Sequence, residues 1–259
     1  MRLVTYNVEY GEGINRRWKY LEVFKFFKIV GMTLLNIADY LKTVNPDILG
    51  LIEIDSGSVR YLKRSGSQLF AESLEMDYWV EKTKYARKSV YKVLNFVPIV
   101  RKQCNAILSK YQLHDTKFYF LSKGMKRLII YSKIKMTAGF DTVNLHLFAV
   151  HLSLRKRTRA KQLKELGEIV GVCPSPKIVF GDFNVFKGLS ELGTFLELSG
   201  TRNANETDEY SKTFPSWKPK HWIDHVFISP DILVKKYEVL DASFSDHLPV
   251  MIDFEIKNN

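Results

Sequence analysis

The sequence predicts an α/β protein made of one domain, and three observations lead to that prediction. The strand candidates are short and apolar at successive positions, as in IVF at residues 178–180, which is typical of strands covered on both faces. These strands alternate with helical periodicity and are joined by short connections without a Gly/Ser/Pro-rich linker. The chain has 259 residues, 46% of them hydrophobic, and can bury a sizeable core. We expect a single domain over 1–259, with a two-part rhythm that divides it into halves of about 1–115 and 116–259.

Eight strands and four helices are predicted from these patterns. The strands are expected at residues 3–8, 48–54, 106–109, 127–134, 143–151, 177–180, 221–228 and 250–254. The helices are expected at residues 18–44, 68–74, 157–170 and 190–198. The first helix ends before Asn45 and Pro46 because the residue before a proline disfavours helical geometry.

Two segments, 18–37 and 80–103, interleave basic and aromatic residues and are interpreted as insertions on this scaffold. They could contact the substrate or the surface of a membrane. In the alternative, their aromatic side chains pack inward and their lysines are solvated, which is common in mixed segments.

The charge and the cysteine content narrow the classes of function. The net charge is +11, from 39 Lys and Arg against 28 Asp and Glu, and favours a nucleic acid or an anionic membrane as partner, although many basic proteins bind neither. The two cysteines are far apart in sequence, which argues against a disulfide scaffold or a zinc-thiolate site. We expect a cytoplasmic protein without a signal peptide, a transmembrane segment or an obligate protein partner.

Polar residues stand where several of the apolar strands stop. They are Asn7, Glu9, Glu53, His151, Asp182, Asn184, Asp224, Asp246 and His247. A carboxylate at the end of an apolar strand is costly unless it is paired, hydrogen-bonded or bound to a cation. One such residue has ordinary structural explanations, but a set of this size indicates a shared site. Oxygen ligands with few soft donors favour Mg²⁺ or Mn²⁺ there.

Five motifs along the chain resemble those of the endonuclease/exonuclease/phosphatase superfamily. They are TYNVEYG in the first strand, LGLIEID, the HL pair at 151–152, GDFN at 181–184 and SDH at 245–247, in the order of the family. The resemblance spans residues 3–254. It implies a four-layer α/β sandwich, with two mixed β-sheets packed face to face and helices outside, and a metal-dependent phosphoesterase activity.

The resemblance also implies which residues bind the metal ion. Asn7 and Glu53 are expected to be the principal ligands of Mg²⁺ or Mn²⁺, and Asp246 completes or flanks the site. Glu9 is a further candidate that could bind through water. The cation would offset the charge of the phosphate and stabilise the pentacovalent transition state.

The remaining residues of the set are expected to act on the phosphate and on protons. His247 is the expected general base or phosphate-binding imidazole, and Asp224 is expected to orient it. His151 and Asn184 are expected to donate to the non-bridging phosphate oxygens. Asp182 either positions the attacking water or handles the proton of the leaving group, and the sequence leaves both roles open.

Two basic residues are candidates for binding the substrate. Arg127 could point into the cleft as a phosphate clamp, or it could be an exposed strand arginine. Lys84 could line the site.

The substrate class stays open among phosphoesters. We expect a nuclease-type activity on phosphodiesters, favoured by the net charge and by the basic run at residues 155–161. The alternative is a lipid phosphodiesterase or phosphatase, sphingomyelinase-like or acting on phosphoinositides, favoured by segments 18–37 and 80–103. A soluble phosphomonoester is a third possible substrate. The hypothesis of another class is a catalytically silent module that binds nucleic acid or membrane.

Overall fold

Twelve strands and four helices form the part of the chain that the computed structural model describes, namely residues 1–11, 23–57, 65–84, 102–124, 126–138, 141–207 and 211–257. The strands are β1 (Arg2–Asn7), β2 (Ile48–Asp55), β3 (Tyr78–Thr83), β4 (Gln103–Ser109), β5 (His114–Phe120), β6 (Leu128–Ala138), β7 (Asp141–His151), β8 (Lys177–Asp182), β9 (Arg202–Asn203), β10 (Asp224–Ile228), β11 (Ile232–Val239) and β12 (Val250–Ile256). The helices are α1 (Val23–Val44), α2 (Gly66–Ser73), α3 (Lys156–Gly171) and α4 (Gly193–Ser199).

The strands form two mixed sheets of six strands each. The first has the order β11-β12-β1-β2-β4-β3 and the second β5-β6-β7-β8-β10-β9. In each sheet one central pair is parallel, β1 with β2 and β7 with β8, and the other pairs are antiparallel. The chain leaves the first sheet after β4 and returns to it with β11 and β12, so both chain ends lie in the same sheet.

The two sheets pack face to face, with helices on the outer faces. Leu3 and Ile48 of the first sheet share one buried cluster with Leu147 and Phe180 of the second. Gly50 permits this close approach, because a Cβ atom there would lie 2.3 Å from Cε2 of the Phe180 ring. Separate clusters join the first sheet to α1 and α2, and the second sheet to α3 and α4. The predicted four-layer α/β sandwich is therefore confirmed.

The eight predicted strands are all present, although the one expected from residue 221 begins at Asp224. The four strands that the sequence did not predict are β3, β5, β9 and β11. The helix expected at 190–198 occupies Gly193–Ser199, after a 3-10 turn at Leu189–Glu191.

The two segments that were interpreted as insertions are described only in part. Segment 18–37 contributes the first turns of α1 from Val23 onward, and segment 80–103 contributes most of β3 and the start of β4. Residues 12–22 and 85–101 lie outside the described residues. Among the described helices, none is long and apolar enough to cross a membrane.

Candidate active site

A cavity of about 370 Å³ opens where the ends of central strands from both sheets meet. Asn7 ends β1 in the first sheet and Asp182 ends β8 in the second, and Asn7 Nδ2 donates to Asp182 Oδ2 at 3.1 Å. The cavity is lined by Asn7, Glu9, Tyr10, Glu53, Lys84, Gln103, Lys126, Leu154, Asp182, Asn184, Phe186, Phe214, Ile223, Asp246 and His247. Seven of the residues singled out at strand ends therefore share one cavity.

Irregular backbone turns the side chain of Glu53 toward the cavity. The pairing of β2 with β4 shifts register between Leu51 and Ile54, and Glu53 lies in this bulge with a φ of 60°. Its backbone N–H donates at 3.2 Å to Oδ1 of Asn105, a fully buried residue of β4. A bulge re-aims one side chain in this way, and positive φ in a glutamate is a strain found at functional sites.

Close packing of two strands explains the glycine of the GDFN motif. Gly181 has a φ of +135°, and a Cβ atom there would lie 2.1 Å from the carbonyl oxygen of Val150 in β7. No other residue can approach the neighbouring strand so closely. Gly181 thus allows β8 to approach β7 closely just before Asp182, which ends the strand. The backbone N–H of Asn184 donates to Asp182 Oδ1 at 3.0 Å.

His247 and Asp224 form a buried pair at one wall of the cavity. His247 Nδ1 lies 2.8 Å from Asp224 Oδ2, and the same oxygen accepts from the Thr213 hydroxyl at 2.5 Å. Burial alone would lower the pKa of His247. The carboxylates of Asp224, Asp182 and Asp246 outweigh it and raise this pKa to about 10. The imidazole is therefore charged at neutral pH and has an N–H at Nε2 as well as at Nδ1.

Glu53, another lining residue of the cavity, contacts two ammonium groups. The Nζ atoms of Lys84 and Lys126 both lie 3.2 Å from Glu53 Oε1. Burial alone would raise the pKa of Glu53, but the two lysines outweigh it and lower this pKa to about 2. Burial also lowers the pKa of Lys84 to about 8, although Glu53 opposes the change. Glu53 is therefore a carboxylate throughout the neutral range.

His151 lies below the cavity instead of lining it. Its Nδ1 is 3.1 Å from Lys84 Nζ, and its Nε2 is 3.3 Å from Asp182 Oδ2 and 3.7 Å from Glu53 Oε1. An ammonium group can only donate, so Nδ1 accepts and Nε2 holds the hydrogen of a neutral ring. Burial and the positive charges of Lys126 and Lys84 hold the pKa of His151 well below its usual range. Nε2 is buried without satisfactory hydrogen-bond geometry.

The oxygen-rich cavity fits a divalent cation. Its side chains, together with Asp224, bring five carboxylates and three cations, counted over the described residues. These are Glu9, Glu53, Asp182, Asp224 and Asp246 against Lys84, Lys126 and His247. The excess of two negative charges matches one divalent ion, and the donors are the hard oxygens that Mg²⁺ and Mn²⁺ prefer.

Among the described residues, one group of three side chains has ligand atoms near enough to share a metal ion. Those atoms, from Asp182, Asp224 and His247, lie within 4.8 Å of one another. The 2.8 Å hydrogen bond between His247 and Asp224 indicates that these two residues share a proton and do not hold a metal ion between them. Asn7, Glu53 and Asp246, which line the cavity, remain our expected metal ligands.

The structure places the two basic candidates differently from each other. Lys84 is buried and lines the cavity. Arg127 does not line it: its Nη1 donates to the carbonyl oxygen of Leu121 at 3.2 Å, and its guanidinium lies 5.7 Å from the centre of the Phe120 ring. Its neighbour Lys126 enters the cavity instead. The KR pair at 126–127 marks a basic residue there, but the sequence does not indicate which of the two turns inward.

Other residues of the site carried no distinguishing signal in the sequence. Asn105 supports the bulge at Glu53, and Thr213 holds Asp224 through their hydrogen bond. Tyr10 accepts a hydrogen bond from Lys84 at 2.9 Å. Phe214 packs against His247, with ring centres 5.0 Å apart. Such residues are found only when long-range contacts are known.

The chain matches the model of the endonuclease/exonuclease/phosphatase family over residues 4–247. It belongs to that family. Its members are hydrolytic phosphoesterases that generally depend on a divalent metal ion.

Two solved structures from Bacteroides thetaiotaomicron share the fold. One is an endonuclease/exonuclease/phosphatase family protein with a TM-score of 0.70 and 19% identity, covering 98% of this chain and 97% of its own. The other is a mannosyl-6-phosphatase with a TM-score of 0.71 and 17% identity, covering 99% and 100%.

Similarity to curated sequences is more limited. A UPF0294 protein of Yersinia enterocolitica is 27% identical over 161 residues, which cover 61% of this chain and 51% of that protein. The chain spans about half the length of the curated relatives it matches.

Proposed function

We propose that the protein is a divalent-metal-dependent phosphodiesterase, with a nucleic acid as the favoured substrate class. The observation that supports this most is one cavity lined by the carboxylates of Glu53 and Asp246 and by the charged imidazole of His247, which is paired with Asp224. A bound Mg²⁺ or Mn²⁺ would neutralise phosphate charge and polarise the phosphorus centre. Asn7, Glu53 and Asp246 would hold it, with Glu9 as a further candidate.

The other side chains of the cavity supply binding and proton handling. His247 in its charged form donates from Nε2 to a non-bridging phosphate oxygen, where negative charge grows during in-line attack by water. Asp224 keeps this imidazole oriented and charged. Asp182 accepts a hydrogen bond from the attacking water, and Asn184 holds the phosphate. His151 supports Asp182 from below and contacts the phosphate only if the cavity floor opens.

Hydrolysis of bis(4-nitrophenyl) phosphate by the purified protein tests this proposal. We expect the activity to disappear after chelation and to return when Mg²⁺ or Mn²⁺ is added. Asp182→Asn and His247→Ala should each reduce kcat by about a hundredfold or more. Asp241→Asn, which changes an exposed carboxylate, is the matched control. Activity that resists chelation would contradict the metal-dependent mechanism.

A basic run next to the cavity favours nucleic acid as the substrate. Leu154 lines the cavity, and the next three residues, Arg155, Lys156 and Arg157, are all exposed at the start of α3. Such a run can neutralise backbone phosphates beside the one being cleaved. We expect the double variant Lys156→Ala and Arg157→Ala to lose activity several-fold on plasmid DNA or single-stranded RNA and to retain it on the small aryl diester. Equal loss on both would argue against a polyanionic substrate.

Exposed apolar side chains at the same mouth support lipid as the second candidate. Leu154 is 57% exposed and Phe186 is 37% exposed, and both line the cavity. Trp217 is 59% exposed and follows Ser216, whose backbone N–H donates to the Asp246 carbonyl oxygen. These side chains could contact the apolar part of a lipid. Release of phosphocholine or inositol phosphate from vesicles of sphingomyelin or phosphoinositides, with nucleic acids left intact, would establish this alternative.

A further inference from the structure

Two lysines share one oxygen of Glu53, and they differ in how firmly they are held. Lys84 is 2% exposed, and its ammonium group also contacts Tyr10 Oη at 2.9 Å and His151 Nδ1 at 3.1 Å. The side chain of Lys126 is 28% exposed and reaches Glu53 Oε1 at 3.2 Å from the mouth of the cavity. Lys84 is thus fixed on three sides, whereas Lys126 has space to rotate.

The backbone that carries Lys126 is anchored independently of its ammonium group. Gln162 Nε2 of α3 donates to the carbonyl oxygens of Lys123 and Lys126 at 2.6 and 2.8 Å. The turn itself uses Gly124 at a φ of +96°. The side chain can therefore change partners without rearrangement of the turn.

Lys126 occupies the carboxylate that a divalent cation would need. An ammonium group 3.2 Å from an oxygen offsets part of its charge, and a cation on the same oxygen would repel that ammonium group. Among the described residues, no other hydrogen bond or ion pair holds the ammonium group of Lys126, and the carboxylates of Asp182 and Asp246 act on it only at longer range. A phosphate oxygen of the substrate is a suitable new partner for the displaced ammonium group in this cavity.

We propose that Lys126 is a substrate-binding residue that exchanges Glu53 for a phosphate oxygen when a divalent cation takes the carboxylate. The inference rests on the proposed function. Without a phosphate group, cation binding must displace Lys126 from Glu53 with no new partner for it. With a phosphate group present, Lys126 gains that partner, so cation and phosphate each tighten the binding of the other.

The experiment measures Mn²⁺ binding to the metal-free protein by calorimetry, with and without saturating phenylphosphonate, which is not hydrolysed. For the wild type we expect phenylphosphonate to tighten Mn²⁺ binding by about fivefold or more. For Lys126→Met we expect Mn²⁺ alone to bind about threefold tighter, since the competing ion pair is absent. Phenylphosphonate should then tighten Mn²⁺ binding to this variant clearly less than to the wild type, and the remaining enhancement comes from direct attraction between the cation and the phosphonate.

The effect of phenylphosphonate on Mn²⁺ binding decides between exchange and a simple loss of positive charge. Removing any nearby cation tightens Mn²⁺ binding, but only exchange makes the two ligands cooperative through Lys126. Lys123→Met, an exposed lysine of the same turn, should keep wild-type cooperativity. Lys126→Gln gives a second test if the methionine variant is poorly folded.

Two results overturn this inference in distinguishable ways. If the wild type binds Mn²⁺ and Lys126→Met keeps the full enhancement by phenylphosphonate, the exchange is refuted and the proposed function stands. If the wild type binds no Mn²⁺ under any condition, the metal-dependent function fails, and the role of Lys126 fails with it.

Discussion

Asp224→Asn tests the charged pair of the active site with the least change in shape. The asparagine keeps the size of the side chain and its contact with Thr213, but it removes the negative charge 2.8 Å from His247 Nδ1. The amide can also present its NH₂ group to the imidazole, which disfavours the tautomer and the orientation seen here. The substitution therefore removes both the orienting acceptor and the largest stabiliser of the imidazolium.

The magnitude follows from what maintains the charge of His247. Burial opposes that charge, and three carboxylates raise the pKa to about 10, with Asp224 as the largest contributor. Without Asp224, only Asp182 and Asp246 oppose the effect of burial, and the pKa of His247 falls. A correctly protonated and positioned group of this kind is worth about 10²–10⁴ in rate. We expect kcat to fall by about that factor, with KM changing much less because Asp224 itself does not contact the substrate.

The assay is hydrolysis of bis(4-nitrophenyl) phosphate with saturating Mg²⁺ between pH 6 and 10. His247 acts in its protonated form, so activity is lost as pH rises through its pKa. The alkaline limb should therefore lie at lower pH in Asp224→Asn than in the wild type. A variant with kcat within about threefold of the wild type would refute the role of the pair. So would an alkaline limb that does not move, since Asp224 would then not set the protonation of the group that limits turnover.

Three further predictions concern the framework of the site. Gly50→Ala places a Cβ atom 2.3 Å from the Phe180 ring and should lower the free energy of unfolding by about 1–3 kcal/mol in urea titrations; an unchanged midpoint would contradict the close packing of the sheets. Asn105→Ala removes the acceptor of the Glu53 N–H and should cost about 1–3 kcal/mol of stability and weaken Mn²⁺ binding in calorimetry. Hydrogen bonds from Arg2 hold the pKa of Asp253 below its usual range. The ion pair therefore stabilises the folded protein at pH values above the usual carboxyl pKa, and this stabilisation disappears as pH falls through the pKa of Asp253 in the folded state. Asp253→Asn should be less stable than the wild type by about 1 kcal/mol at pH 7, and a difference that persists at pH 2 would exclude this ion pair as the cause.

The strands that were predicted and those that were missed differ in their place in the sheets. The eight predicted strands are the interior strands of both sheets, whereas β3, β5, β9 and β11 are the four edges. Interior strands are covered on both faces of the sheet and pair with a strand on each side. Their residues are therefore apolar at successive positions. The edge strands are only partly buried, as along β5 and β11. Their sequences therefore lack the apolar run that was the predictive signal.

The oxygen-bearing residues of the site could be predicted from the sequence for a related reason. Asn7 and Asp182 each end a buried strand, where a polar side chain needs a special explanation. The basic residues of the site could not be predicted in the same way. Lys126 and Arg127 are adjacent in a turn, and the backbone path of that turn decides which of them enters the cavity. His151 was expected at the phosphate, but its side chain is buried behind the lining residues, against Lys84 and Asp182.

The site exists only because the two sheets pack at a fixed distance. Asn7 and Asp182 are 175 positions apart in sequence and belong to different sheets, yet their side chains share a hydrogen bond. His247 then approaches Asn7 from the loop before β12, with its Nε2 3.4 Å from Asn7 Nδ2. A shift of one sheet against the other would separate these groups before it exposed much apolar surface. Changes deep between the sheets, such as Gly50→Ala, should therefore reduce kcat at temperatures where the protein is still folded, because catalysis depends more steeply on this spacing than stability does.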